Sequence, residues 1–264
     1  MQTPNTLVAV PVYNEAATAE RVLRRLASLG ESLGFGLLVI DDGSSDDTPG
    51  IVSGLRRELG FDLIARENNM GYGRAMRDAF QRAHQRGFEW VITIDCDEQH
   101  EPERLPAFLA EIARDRVDIV SGTRYREPVD VSDPLASPPA DRRAINQKIT
   151  AEINERLRLD LTDAFCGYKA YRVSAVAALD LDEDGYAFPL QFWVRAVASR
   201  LRVGELPVRL IYNDPNRTFG GGLDEATRRL AHYREVLHTE LCRCRERLPV
   251  NARRQLVVDC QAVA

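Results

Sequence analysis

The chain has 264 residues, 44% of them hydrophobic and 28% charged, and a net charge of −5. That length suits one large domain, or one and a half, with a sizeable buried core, and the composition is that of a soluble globular protein. The negative balance argues against a general nucleic-acid binder, which carries a basic excess, and no apolar run approaches the roughly 18 residues that span a bilayer. Nearly all positive charge is arginine, since Lys148 and Lys169 are the only lysines; guanidinium groups suit bidentate phosphate contacts. The five cysteines (Cys96, Cys166, Cys242, Cys244 and Cys260) are odd in number and form no C-x-x-C pair. They are expected to be reduced thiols. The first six residues lack a basic stretch followed by an apolar one, so the expected location is cytoplasmic.

In chain order, residues 7–12 form a buried-strand run, followed by a helix carrying Val22, Leu26 and Leu29 and ending near Gly30. Residues 37–40 make a second strand, after which Asp46 or Asp47 caps a helix with Ile51, Val52 and Leu55. Residues 61–65 are a third strand, and Ala75, Ala79, Phe80 and Ala83 mark the next helix. A fourth strand covers 90–94, its helix starting at Glu101-Pro102, and a fifth covers 117–121. This alternation predicts an α/β fold, a mostly parallel sheet with helices on both faces. The pattern then breaks: residues 127–141 hold Pro128, Pro134, Pro138 and Pro139 and read as a long mobile loop. Ile145, Ile149, Ile153 and Leu157 form a stripe on one helix. Such a stripe packs on a sheet; the competing reading is an interfacial helix in peripheral contact with membrane lipid. A last helical stretch, 223–248, precedes a loose tail. The expected division is a main domain over 1–222 and a C-terminal helical extension over 223–264.

Four polar clusters fall where strands of this sheet end, the edge at which open parallel sheets bind ligands. They are Pro11-Val12-Tyr13-Asn14-Glu15, Asp41-Asp42-Gly43-Ser44-Ser45-Asp46, Asn68-Asn69-Met70-Gly71-Tyr72-Gly73 and Asp95-Cys96-Asp97-Glu98-Gln99-His100. In Asp95-x-Asp97 the two carboxylates face the same side of an extended chain, and hard oxygen ligands suit Mg²⁺ or Mn²⁺ completed by substrate phosphates. A lone pair of this kind is more often a solvated strand end; the three neighbouring clusters are what give it weight. An EF-hand is excluded because His100 stands where that loop needs glycine. Gly71-x-Gly73 lacks the third glycine of a dinucleotide fingerprint and follows the third strand, not the first. Its glycines are expected to let the backbone turn tightly and approach a ligand at a helix N-terminus.

The ordered runs Val-Ala-Val-Pro-Val-Tyr-Asn-Glu (8–15), Ile-Asp-Asp-Gly-Ser-Ser-Asp-Asp-Thr (40–48), Asn-x-Gly-x-Gly-x-Ala (69–75) and Asp-Cys-Asp-Glu-Gln-His-Glu-Pro-Glu (95–103) resemble a family 2 glycosyltransferase. Within that family the chain is most similar to the dolichyl- or polyprenyl-phosphate mannose (or glucose) synthase branch. Ser-Gly-Thr-Arg-Tyr (121–125), Cys-Gly-Tyr-Lys-Ala-Tyr (166–171) and Asp-Pro-Asn-Arg-Thr-Phe-Gly-Gly (214–221) continue the match, which covers about residues 6–222. The sequence departs from many relatives in showing no C-terminal membrane helices. The resemblance implies a GT-A fold and a nucleotide-sugar donor. It implies that Pro11, Tyr13, Glu15 and Asp42 bind base and ribose, with Gly71 and Gly73 in the same donor site. Asp95, Asp97 and Gln99 are the implied ligands of Mg²⁺ or Mn²⁺. Arg124, Arg217 and Arg142 or Arg143 are the implied phosphate contacts; Asp95, Asp97, Arg124 and Arg217 form the implied catalytic set, with Arg142, Arg143 and Arg217 toward the acceptor.

Relatives that glycosylate hydroxyls place a carboxylate base in the helix-start motif that here reads Phe188-Pro189-Leu190-Gln191. Gln191 cannot accept a proton, whereas a phosphate monoester, with a second pKa of about 6, is largely dianionic at pH 7 and needs no base. The expected acceptor is therefore a lipid phosphate such as a polyprenyl phosphate. Asp163 or Asp184 is the alternative base for a soluble hydroxyl acceptor. A catalytically silent nucleotide-sugar-binding protein is the reading from another class.

Overall fold

The structure is a computed structural model and describes residues 5–126, 140–211 and 221–254, the last segment as backbone alone at 221, 222 and 253. In chain order it runs β1 (Thr6–Val12), α1 (Ala19–Leu33), β2 (Gly36–Asp41), α2 (Thr48–Leu59), β3 (Asp62–Ala65), α3 (Tyr72–Gln85) and β4 (Trp90–Thr93). After these come α4 (Leu105–Ile112), β5 (Ile119–Thr123), α5 (Ala140–Leu157), β6 (Lys169–Arg172), α6 (Val173–Val176), α7 (Phe188–Ala198), β7 (Val203–Pro207) and α8 (Ala226–Arg243). The seven strands form one sheet in the order β3-β2-β1-β4-β6-β5-β7. All pairings are parallel except those of β6, which runs antiparallel to both β4 and β5.

The β1 run is apolar at successive positions because both faces of the sheet are covered. Val8, Val10 and Val12 enter a core with Val22, Leu23 and Leu26 of α1, Val52 and Leu55 of α2, and Phe108 and Ile112 of α4. Leu7 and Ala9 point the other way, into a core filled by α3, α5, α7 and α8. The alternation is the strand's period of two, expressed within one hydrophobic run. The α/β expectation therefore holds, with one reversed strand.

Several local expectations need correction. Helix α1 does not end near Gly30 but runs on to Leu33, where Gly34, at φ 75°, takes the left-handed cap that its missing Cβ allows. Pro102–Arg104 is a 3-10 turn that leads into α4. Helix α5 already begins at Ala140, so Asp141 belongs to its first turn; residues 127–139, the rest of the expected loop, lie outside the described residues. Ile145, Ile149, Ile153 and Leu157 are all buried in the core shared with α7 and α8, so this stripe packs inside the protein and the lipid-facing reading of it fails. Cys96, Cys166 and Cys244 are buried free thiols, as expected of them, while Cys260 lies outside the described residues. Among the described residues no helix is long and apolar enough to cross a membrane.

The C-terminal helix is built into the body. Tyr233, Leu237 and Leu241 of α8, with Cys244, Leu248 and Ala252 beyond it, join the same core as Ile149 and Trp193. Of the loose tail expected after residue 248, residues 249–254 are described and are not loose: they carry a 3-10 turn over Val250–Arg253 whose Ala252 is buried in that core, while residues 255–264 lie outside the described ones. At the opposite end of β5, Asp118 gathers that strand and β7. Its carboxylate accepts two bonds from the Arg202 guanidinium, at 3.0 and 2.9 Å, one from the Arg202 backbone N–H and one from Arg172 Nε. The Arg202 side-chain bonds, outweighing burial, lower the Asp118 pKa to about 2.

Candidate active site

A cavity of about 300 Å³ opens at the carboxyl edge of β1, β2 and β4. The loops after these strands are fastened to one another before any ligand is considered. Asn14, at φ 55°, accepts the Ser45 N–H at 2.8 Å, its own N–H donates to Ser44 Oγ at 2.9 Å, and the Glu15 N–H donates to Thr48 Oγ1 at 2.9 Å. Pro11, Tyr13 and Glu15 come to the cavity wall on this support. Asp42 lines the wall beside them, nearly fully buried. Its carboxylate accepts the N–H groups of Met70 at 3.0 Å and Gly71 at 2.8 Å and pairs with Arg66, which also pairs with Asp78. Asp42 is thus the clamp that holds the 68–71 loop at the strand edge, a role its position in the sequence did not reveal.

Gly71 and Gly73 separate in function. Gly71 lies on the cavity wall at φ 98°, while Gly73 does not. A Cβ at either position would meet backbone oxygen, Asp184 O at 2.3 Å or Glu183 O at 2.2 Å. The close approach they permit is therefore to the 183–185 segment of this chain, which brings Tyr186 to the cavity, where it stacks on Tyr72 with ring centroids 6.2 Å apart.

Asp95, Asp97 and Gln99 share the floor. Cys96 between the two carboxylates is buried in the core, as alternation on an extended segment requires, and Asp97 is fixed by the Gln99 N–H donating to its Oδ1 at 3.0 Å. Gly167 forms a shelf beneath Asp95: a Cβ there would lie 2.2 Å from Asp95 Oδ2. The shelf is anchored by Thr93 Oγ1, which donates to the Gly167 carbonyl at 2.7 Å, and by the buried Lys169 ammonium, which donates to the Cys166 carbonyl. Burial lowers the Lys169 pKa. Among the described residues no three or more His, Cys, Asp or Glu side chains converge on one point. The two carboxylates on one floor, Asp95 given its room by Gly167, are a donor set that suits a Mg²⁺-like cation taking its remaining ligands from phosphate and water.

The other wall is cationic and aromatic. Arg124, at the end of β5, gives Nε and Nη2 to Asp163 at 2.6 and 2.9 Å, and Asp163 also accepts Asn146 Nδ2 at 3.1 Å. Asp163 has no exposed surface, yet the Arg124 charge overrides that burial and drives its carboxyl far below the usual range. It is locked in this ion pair and does not reach the cavity wall, so it is no candidate base. Asp184 is likewise off the wall, paired with Arg77. Arg142 lines the cavity, whereas the Arg143 guanidinium sits 6.0 Å from the Tyr125 ring centre. Arg217 lies outside the described residues. Helix α8 adds Arg229 and Tyr233, the latter stacked on Phe165 at 5.2 Å.

Residues 7–179 match the family Glycosyl transferase family 2. The chain belongs to that family. This glycosyltransferase is 30% identical over 227 residues to the undecaprenyl-phosphate mannosyltransferase of Micrococcus luteus, covering 83% of this chain and 90% of the relative. It is 25% identical over 238 residues to the polyprenol monophosphomannose synthase of Mycolicibacterium smegmatis, covering 88% and 87%. Among solved structures it is similar in fold to glucosyl-3-phosphoglycerate synthase from Mycobacterium tuberculosis in complex with Mn²⁺, uridine diphosphate and phosphoglyceric acid, with a TM-score of 0.65 at 20% identity over 91% of this chain and 78% of that one. The fold of this glycosyltransferase is GT-A.

Two features of the glycosyltransferase were misjudged from sequence. Gln191 does not face the cavity: its Oε1 accepts the N–H groups of Asp182 and Glu183 at 2.8 and 2.9 Å, and its Nε2 donates to Asp182 and Glu240. Pro189 is the residue of that motif on the wall, so the missing carboxylate at 191 says nothing about the acceptor. Arg229 and Tyr233 were missed altogether. Their only sequence signal is the spacing of four that puts both on one face of α8.

Proposed function

We propose that this glycosyltransferase moves a hexosyl group, with inversion, from a GDP-mannose- or UDP-glucose-type donor to a polyprenyl phosphate, assisted by Mg²⁺ or Mn²⁺. The observation that carries the acceptor is the distribution of charge in the cavity. Its acidic lining residues, Glu15, Asp42, Asp95 and Asp97, all come from the loops after β1, β2 and β4. The wall built by β5, α5 and α8 presents Arg124, Arg142 and Arg229 and, among the described residues, no carboxylate. Such a wall receives a phosphate well and offers nothing to deprotonate a hydroxyl. The two relatives named for undecaprenyl-phosphate mannosyl transfer and polyprenol monophosphomannose synthesis support the same reading.

In this reading Pro11, Tyr13, Glu15 and Asp42 receive base and ribose, and Asp95, Asp97 and Gln99 hold the cation near the donor diphosphate. The cation supplies positive charge against the leaving nucleoside diphosphate. Arg142 holds the acceptor phosphate, with Arg124 behind it and Arg217 in the same role; an oxygen of the already ionised phosphate attacks the anomeric carbon as the bond to the diphosphate breaks. The test is transfer of labelled sugar from GDP-mannose and UDP-glucose, with Mn²⁺, Mg²⁺ or EDTA, to undecaprenyl phosphate in detergent and to 3-phosphoglycerate. Lipid product formed only with metal is the expected result. Transfer to phosphoglycerate and none to the lipid would overturn the acceptor, and full activity in EDTA would overturn the metal.

A further inference from the structure

Helix α8 lies wholly beyond the family match, which ends at residue 179, yet it supplies Arg229 and Tyr233 to the cavity wall. Arg229 is 2% exposed, and a buried guanidinium persists only where partners take its donors. Its Nη1 donates to the Leu223 carbonyl at 2.8 Å, which fixes the side chain from behind. Its Nη2 donates to Asp141 Oδ2 at 2.9 Å. Asp141 stands in the first turn of α5, directly before Arg142, and Ile145 and Asn146 one turn on also line the cavity. Asn146 is held in turn by Asp163, the partner of Arg124.

The geometry points to Arg229 as a positioning residue for Arg142, acting through Asp141. This rests on the reading of Arg142 as an acceptor-phosphate contact. Helix α5 is gripped at two levels, by Arg229 through Asp141 at its first turn and by Asp163 through Asn146 at its second. Arg142 sits between the grips, so its direction into the cavity follows from both. A first helical turn has no preceding turn to hold it and frays readily. Asp141 is half exposed and adds little stability by itself. What the ion pair does is restrict the first turn to the one arrangement that aims Arg142 at the acceptor. The donor site, built by the loops of β1, β2 and β4, does not depend on it.

The experiment measures initial rates of the full chain with undecaprenyl phosphate and the active donor varied separately, together with Tm, for Arg142→Ala, Arg229→Ala, Arg229→Lys, Asp141→Ala and the Arg229→Ala/Asp141→Ala double variant. Arg229→Ala and Asp141→Ala should each raise the acceptor KM about tenfold while the donor KM changes less than about twofold. Arg229→Lys should recover most of that loss, and the double variant should be no worse than Arg229→Ala, as for two residues acting through one contact. Parallel rises in both KM values, an unchanged acceptor KM in Asp141→Ala, or additive losses in the double variant would overturn the inference. If Arg229→Ala does not fold, the half-exposed Asp141 position decides alone. An unchanged acceptor KM in Arg142→Ala would instead mean that the acceptor reading itself is wrong.

Discussion

At the residue scale, the site depends on side chains whose neighbours leave them one orientation. Asp97 is the simplest to test. It accepts the Gln99 N–H, a bond worth about 1 kcal/mol, whereas in the proposed reaction its carboxylate acts on the barrier beside the donor diphosphate. Asp97→Ala should lower kcat by about a hundredfold, roughly 2.7 kcal/mol, with a Tm shift of a few degrees at most, read by product formation beside a circular-dichroism melt. Wild-type turnover in that variant would remove Asp97 from the reaction. Which carboxylates gather was legible in the sequence, because strand-end positions and the period of two are local properties. What Asp42 and Gln191 do was not legible. Both are satisfied by partners distant in sequence, Met70 and Gly71 for Asp42, and Asp182 and Glu240 for Gln191.

At the element scale, Asp163 joins the end of β5 to α5 through Arg124 and Asn146. Asp163→Ala would strand the Arg124 guanidinium beside the cavity without its counter-charge, and breaking a buried pair on one side costs about 3–5 kcal/mol. A urea titration should show a loss of unfolding free energy of that size, and a loss under about 1 kcal/mol would mean that water replaces the carboxylate. The first five strands and the helices between them were readable because each combines an apolar run with a turn signal. Strand β6 was not: Lys-Ala-Tyr-Arg is four residues long, carries two charges, and is held in place by β4 and β5 on either side. Helix α7 is buried nearly all round, so it offers none of the amphipathic contrast by which a helix is read from sequence.

For the whole molecule, the two cores on either face of the sheet unfold together only if the strands stay registered, and Asp118 ties β5 to β7 at the end remote from the cavity. Its folded pKa of about 2 lies below the ordinary 3.8. A depressed carboxylate contributes fully above its unfolded value and loses that contribution as pH falls through the folded one. The stabilisation should therefore be complete above about pH 5 and vanish between roughly pH 4 and pH 2. With Arg202 half exposed, screening leaves about 1–2 kcal/mol of the nominal shift. Asp118→Asn should lower Tm at pH 7 by several degrees and converge on the wild type near pH 2. A constant difference across that range would show that the effect is packing rather than charge.

Strand β6 runs against its neighbours, so it meets the ligand edge with its beginning, not its end. The shelf at Gly167 is delivered by chain that enters the strand, while the chain that leaves it, at Arg172 and into α6, emerges on the far side of the sheet beside exposed Ser174 and Ala177. Two positions five residues apart, Arg172 and Ala177, thus lie away from the cavity, although its floor is only one strand-length away. That places the α6 turn, directly after the Cys-Gly-Tyr-Lys-Ala-Tyr run, among the sites where a fluorophore or a short insertion can be accepted while the reaction proceeds undisturbed.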